Sequence, residues 1–268
     1  MTRAAVEGLR ATHDDFRALM STLTAEQWLL PSACAGWRVQ DVLAHVTSNF
    51  KEMVDPTPAS PGAAAAAPAT AEEAMEFLVA PRKSWTATEL VAEYDRYVDA
   101  AFATLAAMQD EPLASTSLDV ADLGSYPMQL LANAYCFDHY CHLRHDLMAP
   151  GGPLPDVLPT ADDTRLRPGI DWMWAGLPQM CREAMVVVDR PITIELTGVG
   201  GGSWTLHPAT DSGCITIEEN GNGGAAHVTS SAHDFVSWGT GRSAWRDACS
   251  LSGDTDYATR VLDAIDII

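Results

Sequence analysis

Basic residues are scarce in this sequence. It has 16 Lys and Arg against 36 Asp and Glu, which gives a formal net charge of -20 at pH 7, and the basic residues form no cluster. A surface this rich in negative charge repels nucleic acid and anionic lipid alike. We therefore expect no nucleic-acid or membrane partner, and we expect the ligands to be small molecules.

Long apolar segments are missing as well. No apolar run approaches the roughly 18 residues that a membrane-spanning helix needs. The first ten residues carry charges throughout and lack the apolar centre of a secretory signal peptide. These absences predict a cytoplasmic protein.

Paired cysteines are absent too. The six cysteines are scattered and never stand in a CxxC arrangement; they are Cys34, Cys136, Cys141, Cys181, Cys214 and Cys249. In a chain of this length, such scatter argues for reduced thiols and against a disulfide framework or a cysteine-type zinc module. Any metal site would then depend on histidine and carboxylate ligands.

The composition that remains is that of a globular protein, with 47% hydrophobic and 19% charged residues in 268. This length is sufficient for two domains. Helical periodicity dominates as far as residue 185, and strand-like alternation follows it. We therefore predict an α+β protein with a helical metal-binding domain at 1–185 and a smaller α+β domain at 186–268.

The first domain contains five stretches with helical spacing of apolar residues. They lie at about 2–22, 39–53, 86–108, 127–147 and 160–185. Pro168 and Pro178 make the continuity of the last helix doubtful. Residues 55–70 consist almost entirely of Ala, Pro, Gly, Ser and Thr, a composition that predicts a flexible surface loop.

The second domain begins with short segments of alternating hydrophobicity. Strands are predicted at 192–197, 203–207 and 215–218, with a further candidate at 226–230. Gly-rich turns separate them, and the segment 231–268 has the pattern of helix, loop and helix. The sequence predicts a small antiparallel sheet with helices on one face.

A cluster of histidines offers the clearest chemistry in the sequence. Asp138 and His142 stand four residues apart and share one helix face, and His139 with His142 does so with slightly more splay. His45, in the middle of the second predicted helix, can supply a third ligand. Three protein ligands leave coordination positions open, as in catalytic metal sites.

Ordinary structural roles must be weighed for His45 and for its neighbour Asp41. A single histidine in the middle of a helix is usually a hydrogen-bonded core residue. Asp41, one turn before His45, can orient its imidazole from behind or can simply be an acid in the first helical turn, where the helix dipole favours it.

The motifs then point to a family. The segment from Trp28 through Cys34-Ala-Gly-Trp37-Arg-Val-Gln-Asp41-Val-Leu-Ala-His45 resembles the N-terminal signature of the mycothiol-dependent maleylpyruvate isomerase family, within the DinB/YfiT-like metalloenzymes. The end of the chain is similar to that family's C-terminal domain of sterol-carrier-like topology, through Phe235, Gly241-Arg242, Gly253-Asp254, Ala258 and Leu262.

This resemblance implies a DinB-like four-helix bundle that binds one divalent ion, typically zinc. The family's ligands are a histidine on the second helix and an acid-x-x-x-His pair on the last, which correspond here to His45, Asp138 and His142. Two departures matter: the family's acid is commonly Glu, and its next Asp follows the last ligand by three residues, whereas Asp146 follows by four. His139 is therefore an alternative ligand in place of Asp138.

The resemblance also implies a function. It indicates a mycothiol-dependent transferase or isomerase that uses a metal-bound low-molecular-weight thiol on a small electrophilic substrate, as a monomer or homodimer. Arg242 is the candidate catalytic cation for an anionic substrate or thiol, although a structural salt bridge would explain it equally well. A metal-dependent hydrolase or lyase, and a non-catalytic small-molecule-binding protein, remain as alternatives.

Overall fold

The contacts within the chain divide it into two units. A computed structural model describes residues 2–56, 70–209 and 213–267. One unit comprises Met1–Pro159 and the other Thr160–Ile268. The domain boundary that the sequence suggested after residue 185 stays a prediction. The loop expected at 55–70 lies almost entirely outside the described residues.

The first unit is helical, as predicted. Its elements are α1 (Thr2–Met20), α2 (Ala25–Trp28), α3 (Val39–Val54), α4 (Ala71–Val79), α5 (Ala87–Ala107), a small hairpin of β1 (Ser117–Asp119) and β2 (Ser125–Pro127), and α6 (Leu131–Cys141). The helices expected near 2–22, 39–53 and 86–108 are therefore confirmed. Helix α4 was not predicted.

Helix α3 lies at the centre of the first unit. It packs against α5 and α4, while α1 packs against α6 and α5. Every residue of α3 from Val39 to Phe50 is buried, as expected for a helix surrounded by other elements rather than facing solvent on one side. Phe50 contacts the rings of Tyr94 and Phe102 from α5. His45, midway along α3, is consequently an interior residue.

The last helix of the first unit changes its geometry. The segment predicted as one helix at 127–147 begins with a 3₁₀ turn, continues as α6 and ends as a π-helical stretch, His142–Leu147. A π-helix bonds residue i to i+5 and so takes in more residues per turn than an α-helix. This wider turn accommodates the four-residue spacing between His142 and Asp146.

The second unit opens with α7 (Asp163–Met180), which is continuous in spite of Pro168 and Pro178. Within the described residues, its strands form one sheet in the order β5-β4-β3-β6-β7. They are β3 (Ile192–Thr197), β4 (Gly202–His207), β5 (Thr216–Glu219), β6 (Ala226–Ser231) and β7 (Ser250–Gly253), accompanied by α8 (Ala232–Trp238), α9 (Trp245–Ala248) and α10 (Thr255–Leu262).

The prediction of a purely antiparallel sheet was wrong at its centre. Strands β3 and β6 are parallel, with Ile192 opposite Ala226, while the other neighbours are antiparallel. The hairpin β4-β5 occupies one side of β3. After this hairpin the chain crosses to the other side of β3 and continues as β6, which runs in the same direction as β3. Local alternation predicts strands but carries no information on this order. Strand β7 was not predicted.

Aromatic side chains fill the interior of the second unit. The ring of Trp174, from α7, stacks on Trp204 of β4 at 5.1 Å and on Phe235 of α8 at 4.8 Å. Trp238 packs beside Phe235 at 4.9 Å. Stacked rings of this kind add about 0.5–1.5 kcal/mol per pair beyond their buried area. Across the parts of the chain that are described, no helix is both long and apolar enough to cross a bilayer.

Candidate metal centre

The start of α3 is fixed by a charged pair. Asp41 is 2% exposed, and its Oδ2 accepts hydrogen bonds from the backbone N and the Nε of Arg38, each at 2.9 Å. The second guanidinium bond, from Nη2 to Asp41 Oδ1, is also 2.9 Å. Asp41 therefore stabilises the first turn of α3, which is the simpler of the two roles that its position suggested.

Three possible metal-ligand atoms lie close together one turn further along α3. One comes from α3, and the other two come from α6 and its π-helical continuation. His45 Nε2 lies 2.8 Å from Asp138 Oδ1, and His142 Nε2 lies 3.4 Å from the same oxygen. The two imidazole rings are 4.8 Å apart, edge to face. The structure thus brings together three residues that the sequence singled out: His45, Asp138 and His142 all contribute donor atoms within 4.8 Å of one another.

Neighbouring side chains hold this cluster in place. Asn49, one turn after His45 on α3, donates from Nδ2 to Asp138 Oδ2 at 3.3 Å. His142 Nδ1 pairs with Asp146 Oδ2 at 2.8 Å, so the opposite nitrogen of the ring faces Asp138. A carboxylate behind a histidine fixes both the tautomer and the orientation of the ring.

The charges in the cluster are strongly coupled. Burial raises the pKa of Asp138, but the charges of His45 and His142 outweigh this, so the pKa lies well below its usual range. Burial lowers the pKa of His142, and the carboxylate of Asp138 overcomes that effect, so the pKa lies well above its usual value. The site is therefore electrostatically suited to hold positive charge next to the Asp138 carboxylate.

His139 occupies different surroundings. It is fully buried, and its ring contacts Phe16 and Phe50 at centroid distances of 5.6 and 5.1 Å. Its Nδ1 lies 3.5 Å from Asp138 Oδ2, whereas His45 contacts the other carboxylate oxygen, Oδ1. Burial lowers the pKa of His139. Among the described residues, it is not part of the group of converging donor atoms.

Trp37 lies beside the cluster. Its ring is 5.4 Å from that of His45 and 6.4 Å from that of His142. The indole Nε1 donates to Glu76 Oε2 on α4 at 2.8 Å, and Lys83 Nζ donates to the other carboxylate oxygen at 2.6 Å. Helix α4, which sequence patterns did not predict, thus fixes an aromatic side chain next to both imidazoles.

Cys34 is the site residue that sequence reasoning missed. Its Sγ lies 3.6 Å from His142 Nδ1, and it forms a second group of possible ligands with His142 and Asp146. No spacing rule could have found it, because it is 108 positions away from His142 along the chain. Its place within the segment that resembles a family signature was the only signal.

Arg242 belongs to the second unit, whereas the cluster belongs to the first. It is exposed and follows α8 and the left-handed Gly241. Its backbone N donates to Ser237 O at 2.9 Å. Its catalytic role stays a prediction.

Comparisons with known proteins converge on one family. The profile described as the mycothiol maleylpyruvate isomerase N-terminal domain matches residues 9–144. Among curated proteins, none matches the chain. Two crystal structures, of the mycothiol-dependent maleylpyruvate isomerase and of a histidine-to-alanine variant of it, are similar with a TM-score of 0.58 and identities of 14% and 13%. Each alignment covers 94% of this chain and 93% of the other, and identities this low establish a shared fold only.

Proposed function

The chain belongs to the mycothiol maleylpyruvate isomerase N-terminal domain family, and from that premise we propose that it is a divalent-metal-dependent thiol enzyme. It joins mycothiol or a related low-molecular-weight thiol to a small electrophilic substrate, or uses the thiol to isomerise that substrate. The observation that carries this proposal is the convergence of His45, Asp138 and His142.

The donor set fits zinc. Two imidazole nitrogens and one carboxylate oxygen are ligands that zinc accepts, and three protein ligands leave a position for a further group. The shorter Asp in place of Glu is no obstacle, because Asp138 Oδ1 already lies within 2.8 Å of His45 Nε2. We infer that His45, Asp138 and His142 would hold the ion, with His139 as the alternative to Asp138.

The chain's own residues would prepare the site for thiol chemistry. Bound zinc lowers the pKa of a thiol, so that the nucleophilic thiolate is present at neutral pH. Asp146 holds the Nδ1 edge of His142 and so keeps Nε2 available as a ligand. Trp37, whose indole donates to Glu76, would cover one side of the two imidazoles and so restrict the approach of water from there.

The remaining parts of the proposal come from the sequence patterns and from the resemblance to the family. They are a DinB-like four-helix bundle in the first unit, a sterol-carrier-like topology in the second, and a cytoplasmic monomer or homodimer. Arg242 would bind the anionic group of the substrate or of the thiol, because a guanidinium can grip a carboxylate through two hydrogen bonds.

Thiol-dependent turnover tests the proposed function. Zinc-loaded protein should convert a small electrophile, with maleylpyruvate as the first choice, only when mycothiol is supplied. Zinc-free protein and His45→Ala should fall to the rate of the thiol reaction in buffer, as followed by loss of the electrophile. Conversion without any thiol would instead support the hydrolase or lyase, and zinc retention without conversion would support a binding protein.

The identity of the carboxylate ligand can be tested separately. Asp138→Asn should lower the zinc content of the purified protein sharply, because an amide oxygen is a weaker zinc ligand than a carboxylate. His139→Gln should retain the ion, because its ring packs among Phe16 and Phe50. Elemental analysis measures both, with circular dichroism to verify folding. The reverse pattern would transfer the ligand role to His139.

A further inference from the structure

His142 has possible metal ligands on both edges of its ring. On the Nε2 edge stand Asp138 and His45, the proposed zinc ligands. On the Nδ1 edge, Asp146 Oδ2 lies at 2.8 Å and Cys34 Sγ at 3.6 Å. The thiol, the imidazole nitrogen and the carboxylate oxygen of this second edge all lie within 4.8 Å of one another.

Hydrogen bonds to the backbone on both sides of Cys34 fix the position of this residue. Ser32 Oγ accepts a hydrogen bond from the Cys34 N at 3.1 Å and donates to Trp37 O at 2.9 Å. The backbone N of Ala33 donates to the backbone O of Asp146 at 3.0 Å. A backbone hydrogen bond therefore connects the loop that carries the Cys34 thiol directly to the π-helical turn that carries the Asp146 carboxylate.

We propose that Cys34, His142 Nδ1 and Asp146 form a second cation site, selective for thiophilic ions such as cadmium and exclusive with the zinc site. Thiolate ligands favour soft cations, imidazole suits zinc, and carboxylate suits harder ions. The thiolate of Cys34 should therefore give this site a stronger preference for cadmium than the first site, which contains no sulfur ligand. Metal–ligand bonds of about 2.0–2.3 Å place neighbouring tetrahedral donors roughly 3–4 Å apart. The distances at this edge are close to that requirement, so only small side-chain shifts would be needed.

The two sites exclude each other because a neutral imidazole has one lone pair to donate. When Nε2 binds an ion, the ring proton resides on Nδ1 and is donated to Asp146. When Nδ1 binds an ion, the proton resides on Nε2, which faces Asp138 Oδ1 at 3.4 Å. In either tautomer, a carboxylate oxygen thus accepts a hydrogen bond from the ring N–H. The thiol proton of Cys34 passes to solvent as the thiolate binds.

This arrangement has a consequence for the proposed function. A thiophilic cation at Cys34 would remove His142 from the zinc site, and would thereby inhibit the enzyme without occupying its zinc position. The inference goes beyond the proposed function, because the second site can exist whether or not the first one binds zinc for catalysis.

The test is a cadmium titration of metal-free protein, followed by the ultraviolet charge-transfer band of a cadmium thiolate. Wild type should develop this band with about one equivalent. Cys34→Ser should abolish it and still bind zinc, whereas His45→Ala should keep the band and lose zinc. Cys249→Ser is the matched control, since it removes another partly buried cysteine and should leave the band intact. Excess zinc should diminish the band in wild type.

The outcomes separate this inference from the proposed function. A cadmium band that persists in both Cys34→Ser and Cys34→Ala would overturn the second site. Loss of the band in folded His45→Ala would also overturn it, since the ion would then depend on the zinc ligands. A thiolate band in wild type without any zinc binding would support the second site and count against the proposed function alone.

Discussion

His45→Ala should purify with little zinc, whereas wild-type protein should carry about one equivalent. The substitution leaves only Asp138 and His142, two ligands from a single helix segment. Changing a residue that merely supports a ligand already costs about 10–100-fold in metal affinity, so loss of the ligand itself should exceed that range. Elemental analysis of chelator-free, untagged protein measures the content, and competition with a chromophoric chelator measures the affinity.

The matched control for this experiment is His207→Ala. His207 lies on β4 of the second unit and pairs with Glu218 at 3.1 Å; among the described residues it is not one of the converging donors, so its removal should leave the zinc content unchanged. His45→Gln guards against a folding defect, because it fills more of the buried space than Ala. Full zinc content in folded His45→Ala would exclude His45 as a ligand. Wild type that remains metal-free after reconstitution would count against the whole metal hypothesis.

Arg144→Ala should lower the free energy of unfolding by about 3–5 kcal/mol, the usual result of removing one partner of a buried ion pair. Arg144 and Asp15 are 6% and 7% exposed, and Arg144 Nη2 lies 3.2 Å from Asp15 Oδ2. The same nitrogen donates to Pro159 O at 2.9 Å. Without the guanidinium, the Asp15 carboxylate would stay buried beside an unfilled space. Urea unfolding followed by circular dichroism measures the difference.

A surface pair provides the comparison for Arg144. Arg17 and Asp95 also form an ion pair at 3.0 Å, but their side chains are 36% and 46% exposed. Arg17→Ala should therefore cost about 1 kcal/mol or less. If both variants lost similar small amounts, burial would not be what makes the Arg144 pair important. Replacing Asp15 and Arg144 together by apolar residues should recover part of the loss.

The helices and the converging site residues could be predicted because their signals are local. Apolar spacing predicted α1, α3 and α5, and the four-residue spacing of Asp138 and His142 put both on one helix face. His45 was proposed as the third member from its position in the middle of the second predicted helix, and the resemblance of the segment Trp28–His45 to the family signature then implied the same ligand. The structure does bring the three side chains together, while their role as ligands is a proposal.

The features that were missed depend on long-range contacts or on geometry without a sequence rule. Cys34 meets His142 only because a backbone bond from Ala33 to Asp146 joins two distant segments. The π-helical turn at His142–Leu147 has the same apolar spacing as an α-helix. Strand β7 is short and polar, so it lacks the alternation that reveals a strand.

The parallel pairing of β3 with β6 has a consequence for synthesis on the ribosome. Strands β3 and β4 can pair as soon as His207 has emerged, but the other edge of β3 stays open until Ala226–Ser231 is translated. That open edge carries unpaired backbone N–H and C=O groups, on a strand whose Ile192, Ile194 and Leu196 are buried in the finished sheet. Unpaired apolar strand edges favour contact between nascent chains. Slow translation between residues 207 and 231 should therefore increase aggregation of the nascent protein, whereas the first unit, complete by residue 159, should be unaffected.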